Sequence, residues 1–211
     1  VRTALTMIQE ATYSFSSQAS VAAARVQEEN YIYEASFEPK NNSGASKEPF
    51  WKGHLKKFQI NANGTVGSLL LDAGVVLQGT AAADRIIKTY KSGALTDFTT
   101  ANITPADLGI TTGTDAVKNS QRNAVVGYIR GEAAYNPDDW KLGDVFRSTP
   151  ITVGTPSTFF EDGRDENNQF AAHRTSHVRT SALGNRLIVA GANDGQFHAF
   201  NTSTLAEAWS F

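Results

Sequence analysis

A mainly β fold is predicted, forming part of a β-propeller of about two blades with short helical insertions. Leu187 to Ala190 is a short apolar, partly β-branched run, Asn193-Asp194-Gly195 is a tight-turn tripeptide, and Gln196 to Phe200 alternates polar and apolar, which together describe a β-hairpin. After the turn formers Asn201-Thr202-Ser203-Thr204, Glu207 to Phe211 alternates again with Trp209 and Phe211 on one face. With Pro150 to Val153 ahead of them, these runs make four short strands in chain order, the meander of one blade.

The earlier elements follow from local pattern. Val1 to Glu10 spaces its apolar residues helically until Ser16, Ser17 and Ser20 break the run. Tyr31 to Phe37 is aromatic and β-branched, and Pro39 with Asn41-Asn42-Ser43-Gly44 ends it, so a strand and an exposed loop are expected. Phe50 to Ile60 reads as a second strand closed by the hairpin signal Asn61-Ala62-Asn63-Gly64. Ala73 to Asp84 predicts a short helix or turn, Arg85 to Tyr90 a third strand and Leu95 to Phe98 a fourth. Ala106 to Leu108 follows Pro105 as one helical turn, and Asn119 to Arg130 predicts a helix closed by Gly131. The resulting division is an N-terminal helical segment (1–20), a blade-like β region with a helical insertion (21–118), a helix and linker (119–141) and a second blade (142–211). No fixed-period repeat is present. Two blades cannot close a ring, so the expectation is an incomplete propeller whose other blades lie elsewhere in the protein or on a companion chain.

Composition narrows the function classes. The chain has 211 residues and a formal net charge of −2 that is spread along it, without the basic stripe of a nucleic-acid binder. Its apolar runs are too short for a transmembrane helix. It contains no cysteine, which removes disulfides, thiolate nucleophiles and sulfur-bound zinc.

Several separated segments carry a family resemblance: Trp51-Lys52-Gly53-His54-Leu55, Arg85-Ile86-Ile87-Lys88-Thr89-Tyr90, Val126 to Glu132, Leu142-Gly143-Asp144 through Ser148-Thr149-Pro150, and Val189-Ala190-Gly191-Ala192-Asn193-Asp194-Gly195-Gln196-Phe197-His198-Ala199-Phe200. In order and spacing they resemble the C-terminal β-propeller of the type IV pilus tip-associated proteins, the PilY/PilC adhesins. The resemblance implies a secreted, non-enzymatic protein of the pilus tip, the cell surface or the periplasm and outer membrane of a Gram-negative-type bacterium, contributing to pilus assembly and retraction and to adhesion. Its implied partners are pilin-like minor subunits and host or abiotic surfaces, with no nucleic acid. The family-motif residues carried over are Trp51, Gly53, Gly143, Asp144, Ser148, Pro150, Gly191, Asn193, Asp194, Gly195, His198 and Trp209, with mainly structural roles. The family's calcium loop is of EF-hand type, and no Asp-x-Asp-x-Asp-Gly pattern occurs here, so no cofactor is expected in this chain and calcium is left to other parts of the full protein. Leu205 stands where family members commonly carry Gly, so that turn must differ or bear strain. The alternative is a quinoprotein (pyrroloquinoline quinone) dehydrogenase propeller. Lack of a vicinal cysteine pair and of paired acid and calcium ligands weighs against it.

Other candidate chemistry is sparse. Asp162, Asp165 and Glu166, in the acidic loop 161–168, are the candidate ligands for a hard cation, against the simpler reading of a solvated loop. His173 and His177 are four apart, but neighbouring Arg174 and Arg179 and the poor helix formers Thr175-Ser176 argue against a metal pair. Asp144, Arg147 and Ser148 lack the Gly-x-Ser-x-Gly context of a nucleophile, and Ser148 at a strand entry suits backbone capping. His198 is expected to be a hydrogen-bonded core or channel-facing residue, and Asp194 a turn residue. Trp51, Trp140 and Trp209 are expected to pack between blades. The long polar loops Asn41 to Glu48 and Phe160 to Asn168 are the candidate binding surfaces.

Overall fold

The computed structural model describes residues 19–20, 31–39, 51–146, 148–158 and 162–211. The expected helix at 1–10, the loop 41–48 and Arg147 lie outside the described residues. The chain is mainly β, with several antiparallel sheets and few helices.

Strands β1 (Ala19–Ser20), β2 (Tyr31–Glu38), β3 (Lys52–Ile60) and β4 (Val66–Asp72) form one antiparallel sheet in chain order. Strands β7 (Ile151–Val153), β8 (Leu187–Gly191), β9 (Phe197–Asn201) and β10 (Glu207–Ser210) form a second, also in chain order, which is the meander expected of the last third. Helix α1 (Ala73–Gln78) follows β4 directly, because the Asp72 carboxylate accepts the Gly74 N–H and caps it. Helix α2 (Asp115–Arg130) starts at its Thr114 cap and stops where Gly131 turns left-handed at φ 81°. Helix α3 (Gln169–Ser176) precedes β8.

The first strand group departs from expectation in two ways. Val66–Asp72 is a strand not foreseen, because Gly67-Ser68 interrupts its alternation and the Leu69-Leu70-Leu71 run carries no period. The strands expected near 85–90 and 95–98 are β5 (Lys88–Lys91) and β6 (Ala94–Asp97), which pair only with each other. Ser92 and Gly93, both at positive φ, close them into a two-residue hairpin.

The two four-stranded sheets pack face to face. Tyr33 and Leu55 from the first, Ile188 and Phe200 from the second, Leu205 from the turn between β9 and β10, Ala73 and Leu77 of α1, and Leu142 form one buried cluster. Burying each Leu or Ile side chain contributes about 1.5–3 kcal/mol. Polar links cross the same seam: Lys57 Nζ donates to the Thr202 carbonyl at 2.7 Å while lying 3.8 Å over the Tyr31 ring. The far face of the second sheet is apolar as well. Register places Ile151, Val189 and Trp209 in a row across it, with Phe197 and Phe211 beside them, and Ile151 is 61% exposed. Beyond β10, Ile87 bridges Ser210 in parallel and the Ser210 N–H donates to Ile86. Among the described residues the sheets do not close into a ring.

Candidate functional site

The resemblance-bearing motifs, far apart in sequence, meet at one locus. Lys52 bridges Gly143 in antiparallel fashion, and the Gly53 N–H donates to Leu142 at 2.8 Å. The approach is so close that a Cβ on Gly53 would lie 1.8 Å from the Gly143 carbonyl oxygen, and one on Gly143 would lie 2.5 Å from the Asp194 nitrogen. Glycine is therefore dictated at both positions by contact. On the other side of the same strand segment, Asn193 donates to Asp144 twice, from its backbone N–H at 3.0 Å and its amide at 2.7 Å. Burial pushes the Asp144 carboxyl above its ordinary pKa, against the opposing Asn193 hydrogen bond. Ser148 Oγ accepts the Gly191 N–H at 3.0 Å, the backbone-capping role its position suggested.

Asp194 does more than its turn requires. Oδ1 accepts the Gln196 N–H, holding the turn that Gly195 completes at φ 86°, while Oδ2 accepts the Gly143 N–H at 2.8 Å and faces His198 Nε2 at 3.0 Å. His198 Nδ1 is 2.8 Å from Glu207 Oε1, and Arg85 grips Glu207 through Nε and Nη2 at 2.8 and 2.9 Å. Both His198 partners are carboxylates, so both ring nitrogens donate and the ring is an imidazolium. Burial would lower its pKa, but the Asp194 and Glu207 charges and hydrogen bonds outweigh that and raise it to about 9. Burial likewise opposes ionisation of Glu207, yet His198 and Arg85 bring it down to about 2. Arg85 also donates to the Ile129 carbonyl at 2.7 Å and to Gln196. Its side chain is fully buried, so the network clasps the 82–85 turn and the end of α2 to the second sheet.

This constellation balances two anions, Asp194 and Glu207, with two cations, His198 and Arg85. His198 falls in the buried, hydrogen-bonded role expected of it. Arg85 and Glu207 were missed as network members; the signal was an arginine opening an apolar strand and a glutamate two residues before Trp209.

Of the remaining candidates, Trp140 is buried and donates from Nε1 to Leu142, Trp51 stacks on Phe37 at 4.8 Å, and Trp209 sits beside Phe197 on the outer face. Pro150 is buried just ahead of β7. Asp162 is held by Arg164, and Asp165 accepts the N–H groups of Phe170 and Ala171 at 2.7 and 3.0 Å. Glu166 opens a short helical turn ahead of α3. These partners turn the acidic loop toward helix capping, and among the described residues no three His, Asp or Glu side chains converge on a cation. His173 lies within α3, which forms despite Thr175-Ser176 because Asp165 supports its start, while His177 sits just past the helix end with non-helical backbone; their rings stack at 3.9 Å.

No family model matches the chain. Over 140 residues, 60% of the chain, it is 28% identical to a type IV pilus biogenesis factor, a PilY1 homolog of Xylella fastidiosa (strain Temecula1 / ATCC 700964). The chain spans about a tenth of that protein's length. No solved structure matches.

Proposed function

We propose that this chain is a propeller segment of a type IV pilus-associated protein and acts by presenting a rigid binding surface rather than by catalysis. The observation that carries the reading is the two-sided second sheet. One face is packed on the first sheet, and the other bears Ile151, Val189, Phe197, Trp209 and Phe211, which suits a further sheet layered on it. The motif residues support a non-catalytic role, since Gly53, Gly143, Asp144, Asn193, Asp194 and His198 are engaged in holding strands and turns together. Similarity to a pilus biogenesis factor supports a surface or extracellular location, pilin-like partners and a part in pilus assembly and adhesion. Among the described residues no helix is long and apolar enough to cross a membrane.

The test is an in-frame deletion of residues 142–211 from the gene of the piliated bacterium, with surface pili counted by electron microscopy and attachment measured on the same cells. Loss of pili or attachment is expected; wild-type values for both would overturn the reading. Addition of pyrroloquinoline quinone and calcium to the protein is expected to leave dye-linked alcohol oxidation at background.

A further inference from the structure

A second polar cluster lies on the first sheet beside the motif locus, where His54 follows Gly53. The β2–β3 register sets Ser36 opposite His54 and Glu38 opposite Lys52, so Ser36, Glu38 and His54 share the face turned away from Tyr33 and Leu55. The Asp72 carboxylate, at the end of β4, accepts a hydrogen bond from His54 Nδ1 at 2.7 Å. A carboxylate partner places a hydrogen on Nδ1, so Nε2 is the nitrogen that would meet a ligand. The ring packs against Trp140 with centroids 4.9 Å apart, and Asp72 is itself tied down by capping α1, so the imidazole is held from two sides.

Both His54 Nε2 and Ser36 Oγ are buried and have no hydrogen-bond partner. Orphaned buried polar atoms cost about 1–3 kcal/mol each, and two on one cross-strand rung call for an occupant. Glu38 Oε1 stands 3.5 Å from Nε2, with the Glu38 side chain 53% exposed and the His54 side chain 9% exposed. That separation is long for a hydrogen bond. It does match two ligands of one tetrahedral ion, which at metal distances of about 2.0–2.2 Å lie about 3.4 Å apart. A histidine whose other nitrogen is held by a carboxylate is also the usual second-shell arrangement of a metal-bound imidazole.

We propose that His54 Nε2 and the Glu38 carboxylate bind a divalent transition-metal ion of the zinc class, with Asp72 as the positioning residue for the imidazole. Solvent completes the coordination on the exposed Glu38 side, and Ser36 Oγ hydrogen-bonds a metal-bound water. The Glu38 and Asp72 carboxylates supply the charge that favours a dication. Because Asp72 is engaged by His54 Nδ1 and no third ligand converges on the ion among the described residues, binding is weaker than at a structural zinc site. The ion would pin the end of β2 to β3 and β4.

The experiment is titration of the protein with zinc chloride by calorimetry, and with cobalt(II) chloride by visible absorption, on wild type, Glu38→Gln and the double variant His173→Gln/His177→Gln. Glu38 is half-exposed, so its variant keeps the fold, which circular dichroism checks. One zinc per chain in the micromolar range, weakened at least tenfold in E38Q and unchanged in the double variant, with a tetrahedral cobalt spectrum lost in E38Q, is the expected result. No heat at 100-fold excess of zinc, equal affinity in E38Q and wild type, or binding abolished only in the double variant overturns the proposal. Pilus counts do not enter this test, so its failure leaves the proposed function standing.

Discussion

Gly143 shows how a single missing methyl group can organise a molecule. Its Cα faces the Asp194 backbone on one side while its carbonyl is pressed by Gly53 on the other. Gly143→Ala is expected to destabilise by about 1–3 kcal/mol, as overpacking against rigid backbone does, read as a lower urea midpoint with an unchanged slope. Leu205 makes the opposite point. It adopts φ 53°, so the strain anticipated at this position is present, yet the side chain is fully buried in the core between the sheets. Leu205→Gly relieves roughly 1–3 kcal/mol of backbone strain but forfeits about 2–5 kcal/mol of core packing. Packing wins, and a net loss of thermal stability is expected.

At the scale of elements, legibility followed the kind of signal. The β8–β9 hairpin and β10 were readable because turn residues bracket alternating runs, and α2 because its period is helical and Gly131 ends it. The strand β4 and helix α3 were not. Three consecutive leucines carry no period, and α3 depends on Asp165, which lies outside the helix and accepts two of its N–H groups. Asp165→Ala is therefore expected to cost about 1 kcal/mol, as loss of a cap does, seen as faster amide exchange confined to 169–176. The motif locus was legible as a set of residues but not as a place, since only tertiary pairing brings Gly53, Gly143 and Asp194 together. The Glu38–His54–Asp72 cluster was invisible for the same reason: three strands contribute one residue each.

Across the whole molecule, the buried network sets the response to pH. Glu207 has a pKa depressed from 4.5 to about 2, so its stabilisation is full above pH 4.5 and is lost as pH falls through 2. His198 has a pKa raised from 6.5 to about 9, so its contribution is full below pH 6.5 and is lost as pH rises through 9. The raised Asp144 has the opposite sign to Glu207 and shallows the acid limb. Maximum stability from these groups is expected between about pH 4.5 and 6.5, measured as the denaturant midpoint across pH. Arg85→Met leaves Glu207 buried without one of its two cations and is expected to cost about 3–5 kcal/mol, as a half-removed buried ion pair does; in that variant the acid limb should move to higher pH.

The outer edge of β10 is occupied by Ile86 and Ile87, and Arg85 reaches Glu207 across a separation of 122 positions. A newly made chain must therefore close a very long loop before that edge is shielded, a slow step in which topology, not stability, sets the pace. Until it closes, β10 offers unpaired backbone groups to any neighbouring chain. Self-association during refolding is thus governed by a short stretch in the middle of the sequence rather than by the strand that would do the sticking.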